Sequence, residues 1–296
     1  MISVIAVKPV PNLKTVVYAT DFSPCSQNAG FYAARIAAYS SAKLLVAHAF
    51  TLSQAALEVE IGDRKVSQQR INLTELLSNE ALLLKADSLE VIPTLLEGDP
   101  KHAIPRLADK NGPSMIVLGT HGGGRLERKL IGSVAEKILQ STRWPALTVG
   151  PLVQHVASTT FPFKRILFAT DFSPAAASAA TYAVSLAEVF GARIDVLNMI
   201  HDAAIEHPDL LADLQRPFFE VLDGIVPQQA REFYDPKTFV AVSSAHNRIL
   251  EHIGEHSIDL LVLGVQMASY INTEMKTSRV FRIIVDAKCP VLTISR

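Results

Sequence analysis

The chain repeats itself, and the length of the repeat limits what it can fold into. Residues 14–24 read KTVVYATDFSP and residues 164–174 read KRILFATDFSP, 150 positions further on. The same offset carries Leu44–Phe50 (LLVAHAF) onto Ile194–Ile200 (IDVLNMI). Later the offset drops to 145, joining Met115–Gly119 to Leu260–Gly264 and Trp144–Val149 (WPALTV) to Cys289–Ile294 (CPVLTI). Repeats of this length are duplicated domains rather than solenoid units, and 296 residues suffice for two separate cores. The chain therefore divides into a domain at 1–150, a polar, proline-flanked linker at 151–163 and a second domain at 164–296.

Each copy follows one plan. In the first, Thr15–Ala19 is a strand, and Ser23 as cap with Pro24 at the first helical position starts a helix over about Cys25–Ser40. Leu44–Ala49 is the second strand. A long polar helix over about Leu52–Ala86 follows, with Gly62 as its candidate break. Leu89–Leu96 is the third strand, and Gly98-Asp99-Pro100 opens a helix ending near Asn111-Gly112-Pro113. Met115–Leu118 is a short apolar run bounded by turn residues, as buried strands are. A helix from Ser133 to about Gln140 and the strand Ala146–Val149 complete the copy. Strands alternating with helices imply right-handed crossovers and a doubly wound parallel sheet. Such sheets take ligands beyond the carboxyl ends of their strands. Here those ends carry Thr20-Asp21, Ala49-Phe50, Gly98-Asp99 and Gly119.

Between Met115 and Ser133 the chain reads MIVLGTHGGGRLERKLIGS. The glycines fall as Gly119, two residues, Gly122, nine residues, Gly132, then Ser133. Glycine lets a backbone come close to a ligand, its amides then point at an anion, and the following helix adds its positive end. The stretch reads as a phosphate cradle. It is not a Walker A loop, because no Gly-Lys-Ser/Thr closes it, nor is it the dinucleotide fingerprint, because the glycine spacing differs. In the second copy Gly264 survives, but Met267 stands at the Gly122 position, Thr277-Ser278 at Gly132-Ser133, and Ser243-Ser244-Ala245 at Gly98-Asp99-Pro100. One competent site, in the first domain, is expected. Asp21 reads equally as a nucleotide-binding carboxylate and as a turn residue bonded to its own backbone.

ATDFSP together with Gly-x2-Gly-x9-Gly-Ser resembles the universal stress protein family. The resemblance spans 14–150 and 164–296, resting in the second half on ATDFSP, the strand–helix pattern and CPVLTI. It implies an α/β fold of two tandem Rossmann-like (adenine nucleotide alpha hydrolase-like) domains. Each would be a five-stranded parallel sheet with helices on both faces. The domains would pair through Ala146–Val149 and Val291–Ile294 as an intrachain pseudo-dimer, with homodimerisation as a further expectation. The implied cofactor is ATP, with Mg²⁺. Thr20 and Asp21 would face ribose or adenine, and Ala49 and Phe50 would border adenine, with Gly98 at the adjoining strand end. Gly119, Gly122, Gly132 and Ser133 would hold the triphosphate where the helix sets out at Val134, and His121 and Arg125 would supply positive charge. The implied function is a cytoplasmic ATP-binding protein of stress response or signalling with an unknown protein partner. A slow Mg-dependent ATPase and a nucleotide-free interaction module are the alternatives.

Composition narrows the rest. With 19% charged residues and a net charge of −1, no electrostatic footprint for nucleic acid or an anionic membrane is expected. No apolar run reaches the ~20 residues of a membrane span, and MISVIAVKPVPNLK lacks the basic leader and cleavage site of a signal peptide. The two cysteines, Cys25 and Cys289, stand in different halves; neither a disulfide framework nor a CxxC metal site is expected, and the reading is an intracellular chain. The nine histidines read as scattered, without HExxH or a paired-histidine motif, so no metal ligand is assigned. With no GxSxG elbow, no catalytic residue is assigned either.

Overall fold

In the computed structural model the described residues are 13–51, 60–86, 88–121, 131–154, 163–170, 174–200, 237–242, 245–265 and 274–295. They fall into two compact units, the first spanning Leu13–Pro151.

The first unit runs β1 (Thr15–Ala19), α1 (Pro24–Tyr39), β2 (Lys43–Phe50), α2 (Glu60–Leu83), β3 (Val91–Glu97), α3 (Pro100–Lys110), β4 (Ser114–Gly119), α4 (Ser133–Ser141) and β5 (Ala146–Val149). Its strands pair in parallel in the order β3-β2-β1-β4-β5. The central strands are apolar runs because helices cover both faces. Alternation along β1 sends Val17 to one face, where it packs with Leu45 and Ile116 beneath Ile104 and Ala108 of α3 and Ala135 and Ile138 of α4. The opposite set, including Val16 and Tyr18, is fully buried on the side of α1 and α2. Gly30 of α1 makes room there: a Cβ at that position would lie 2.8 Å from the Tyr18 ring.

Local chemistry sets the helix starts. Ser23 accepts the Ser26 amide as the cap of α1, followed by Pro24, and Asp99 accepts the Lys101 amide as the cap of α3, followed by Pro100. The expected long polar helix is continuous over Glu60–Leu83 and passes through Gly62 without a break; the earlier part of its expected range, 52–59, lies outside the described residues.

The second unit repeats the topology with β6 (Arg165–Thr170), α5 (Pro174–Phe190), β7 (Arg193–Ile200), β8 (Lys237–Val242), α6 (Ala245–Glu255), β9 (Leu260–Val265), α7 (Glu274–Asp286) and β10 (Val291–Ser295). Strand order is β8-β7-β6-β9-β10, all parallel. Among the described residues no helix is long and apolar enough to cross a membrane.

Candidate functional site

Strand order in the first domain reverses between β1 and β4, so the crevice at their carboxyl ends is where an open α/β sheet receives a ligand. The β1–α1 turn lies there. Asp21 is exposed, and its carboxylate accepts the Ser23 amide at 3.1 Å. Phe22 holds the left-handed φ of 63°, uncommon for a bulky residue. Its amide donates to Thr20 Oγ1 at 3.0 Å, and its ring packs on His48 at 4.6 Å between centroids. His48 Nδ1 donates to the Thr20 carbonyl at 2.8 Å, which places the imidazole proton on Nδ1. His48, expected as a plain packed strand residue, therefore also braces the turn.

Beneath the turn lies a buried carboxylate. Glu80, near the end of α2, is 7% exposed. Its two oxygens lie 3.0 and 3.1 Å from the Thr20 hydroxyl, and the Tyr18 hydroxyl bonds it as well, while standing 2.7 Å from the Ser26 carbonyl. Burial and then the Glu80 charge push the Tyr18 phenol well above its ordinary pKa. Glu80 carries no pattern signal, because a carboxylate in a largely polar helix reads as solvated, although its neighbours Leu77 and Ala81 are buried. The repeat does carry one: Tyr18 and Ser26 correspond to Phe168 and Ala176, which have no hydroxyl to offer such a carboxylate.

The β4 end reaches the same place. Ser23 Oγ donates to the His121 carbonyl at 3.2 Å, and Thr120 Oγ1 is 2.8 Å from His121 Nδ1. The Gly132 amide returns to the Thr120 carbonyl at 2.7 Å, closing the neck of the glycine-rich loop. Gly132 caps α4, and among the described residues no side chain hydrogen-bonds its first-turn amides, which suits that helix start to an anion. Ser133 is exposed beside it, while Val134 packs against the core under α4. Gly122 and Arg125 lie outside the described residues.

The remaining positions sit along the neighbouring strand ends. Phe50 is 7% exposed, with the Arg70 guanidinium 5.7 Å from its ring centroid; Ala49 beside it is half-buried. Gly98 has φ 123°, a conformation that favours glycine, and its amide donates to the Phe50 carbonyl at 2.8 Å. The structure thus gathers Thr20, Asp21, His121, Gly132 and Ser133 around one crevice, with Ala49, Phe50 and Gly98 on its flank.

Gly119 has a different constraint. A Cβ there would lie 2.8 Å from the Ser26 amide nitrogen and 2.9 Å from the Cys25 carbonyl carbon, both backbone atoms of α1. Close packing of helix on strand therefore requires glycine at this position. Gly264 does the same in the second domain, where a Cβ would come within 2.4 Å of the Ala175 backbone. The second domain differs at the helix start: α7 is already under way at Glu274, so Thr277, the counterpart of Gly132, lies inside it. Asp171 and Met267 are outside the described residues.

Neither thiol is placed for chemistry at this crevice. Cys25 Sγ donates to the Val149 carbonyl at 3.1 Å. Cys289 is buried, and burial, with Asp259 adding to it, pushes its thiol up to about 12. The reading of scattered histidines needs correction. His252 and His256 are a His-x-x-x-His pair at the end of α6, and Asp195 joins them in space. The pairing was legible from the four-residue spacing on a helix; its carboxylate partner, 57 positions away, was not.

Comparison with known proteins agrees with the duplicated fold. The model of the universal stress protein family matches residues 12–150 and again 162–295. A universal stress protein of Methanocaldococcus jannaschii is 30% identical over 138 residues, 46% of this chain and 81% of that one. Universal stress protein A homolog 1 of Coxiella burnetii is 32% identical over 142 residues, 46% of this chain and 95% of that one. In fold, a solved universal stress protein from Archaeoglobus fulgidus is similar over 95% of this chain and 96% of its own, with TM-score 0.71 and 21% identity. With both halves matched in turn, the chain belongs to the universal stress protein family, as a tandem member.

Proposed function

We propose that the first domain binds an adenine nucleotide, ATP with Mg²⁺, and that the protein acts in the cytoplasm as a nucleotide-dependent partner in stress response. The carrying observation is the convergence of the Asp21 turn, the His121 loop and the uncapped start of α4 at the β1/β4 reversal. On this reading Asp21 and Thr20 face ribose, and Ala49, Phe50 and Gly98 border the base. Gly122, Gly132 and Ser133 then take the phosphates with His121 and Arg125. Gly119 contributes by letting α1 approach β4. A nucleotide bound to the folded state alone stabilises it by mass action, about 2.7 kcal/mol at a hundredfold excess over Kd.

The test is to denature the purified chain, identify released nucleotide by chromatography, and titrate nucleotide-free protein with Mg-ATP by calorimetry. About one ATP per chain is expected. Absence of both retained nucleotide and any heat or thermal shift on adding Mg-ATP rejects the proposal.

A further inference from the structure

The second domain carries a polar cluster at the amino-terminal edge of its sheet, the end away from the turns that follow its strands. Asp195, third residue of β7, is 1% exposed, and His252 of α6 is 6% exposed. His256 follows just past the end of α6. Donor atoms of the three residues lie within 4.8 Å of one another. His252 Nε2 is 3.0 Å from Asp195 Oδ2, and the two imidazole rings are 4.1 Å apart between centroids, as four-residue spacing on one helix face brings about.

Arg165, first residue of β6, orients the group. Its Nε and Nη2 donate to the two Asp195 oxygens at 3.1 and 3.3 Å, and its Nη1 reaches the His256 carbonyl at 3.1 Å. Asp259 accepts the Lys164 and Arg165 amides at 2.8 and 2.9 Å, holding the start of β6. Burial acts to raise the Asp195 carboxyl, but the hydrogen bonds from His252 and Arg165 outweigh it and hold it below its ordinary value.

The first domain provides the control. At the corresponding positions it has Leu45, Leu107 and Asn111, with Thr15 in place of Arg165. Leu45 is buried, and Leu107 packs against the same core cluster. A buried carboxylate–imidazole pair stabilises a fold no better than such apolar packing, because both groups lose water. Folding alone therefore does not explain the exchange.

We propose that Asp195, His252 and His256 form a divalent transition-metal site, a two-histidine, one-carboxylate donor set suited to Zn²⁺. Tetrahedral zinc donors stand about 3.4 Å apart, so the widest of these separations shortens while the 3.0 Å contact between His252 and Asp195 opens by a few tenths of an ångström. Metal entry moves the His252 ring proton from Nε2 to Nδ1, freeing Nε2 to ligate. Arg165 stays on Asp195 as the partner that aims the carboxylate. Water fills the remaining position, the pattern of an open rather than a closed zinc site.

The test uses the full, tag-free chain, stripped of metal and nucleotide and titrated with Zn²⁺ by calorimetry and with Co²⁺ by visible absorption. One metal per chain is expected, with a tetrahedral Co²⁺ band and a raised melting temperature. His256→Ala, at the least buried ligand, should weaken Zn²⁺ binding on the order of 100-fold and abolish the band. Its metal-free melting and circular dichroism should stay those of the parent. Asp195→Asn should lose the band as well. His246→Ala, whose imidazole pairs with Asp286 at 2.9 Å instead, should bind as the parent does. The proposal is overturned by wild-type affinity in folded His256→Ala, or by stoichiometry far below one metal in the parent.

Discussion

Replacing Gly119 with alanine separates a packing glycine from a phosphate-binding one. The added methyl would meet the Ser26 amide nitrogen at 2.8 Å, the Cys25 carbonyl carbon at 2.9 Å and Ser26 Cα at 3.0 Å. All three are backbone atoms of α1, so no side chain can swing aside and the helix must lift from β4. Overpacking of this kind costs about 1–3 kcal/mol, or roughly 4 °C of melting temperature per kcal/mol for a domain of this size. Gly264→Ala, with contacts of 2.4 Å, should cost more. Chemical denaturation of the nucleotide-free chain, following the transition of each domain, measures both. An unchanged first-domain midpoint in Gly119→Ala alongside lost ATP binding would refute the reasoning and return Gly119 to the phosphates.

Other substitutions probe the same architecture. Gly122→Met, copying the second domain's residue at that spacing, should abolish ATP binding in calorimetry while leaving the melting temperature of the nucleotide-free chain unchanged. Glu80→Ala removes the carboxylate that accepts from the buried Thr20 hydroxyl, leaving it the 3.3 Å contact to Ser26 Oγ, and takes one partner from Tyr18; it should destabilise the first domain by about 1–3 kcal/mol and weaken ATP binding through the loosened turn. Equal melting of parent and variant would contradict that. For Asp195, the folded carboxyl is held below its ordinary value, so its contribution to stability is complete above the ordinary aspartate range. It is lost as pH falls through the folded value. Denaturation of the metal-free chain should accordingly show stability dropping below about pH 4, and Asp195→Asn should flatten that part of the profile.

Much of the fold was legible because local chemistry and pattern agree. Ser23-Pro24 marks the start of α1 in the sequence and caps it in the structure, and Ala146–Val149 is the strand its apolar run implies. The candidate site was legible where backbone needs a special residue, as at Gly98 with its φ of 123°. It was not legible where a side chain acts across the fold. Glu80 sits on the face of α2 that buries Leu77 and Ala81, where a carboxylate is not expected, and it meets Thr20 only after β1 and α2 pack. The left-handed backbone at Phe22 is likewise set by its amide's bond to Thr20 Oγ1 and its ring's packing on His48 rather than by its own preference. Asp195 interrupts an apolar strand, but nothing local says that it meets His252 and His256, whose own four-residue spacing was the available clue to a polar cluster in the second domain.

The shared constraint at Gly119 and Gly264 bears on how the glycine signature should be searched for. A position fixed by helix–strand contact persists in a domain that carries Met267 and Thr277 at the other two glycine positions, so it carries little information about binding. Gly122 and Gly132 differ between the two halves of this chain and hold the discriminating content. A pattern that scores the three glycines equally would credit the second domain with part of a site. Weighting the second and third positions, and requiring a helix that begins at the third, would tell copies with the full spacing from copies that keep only the first glycine.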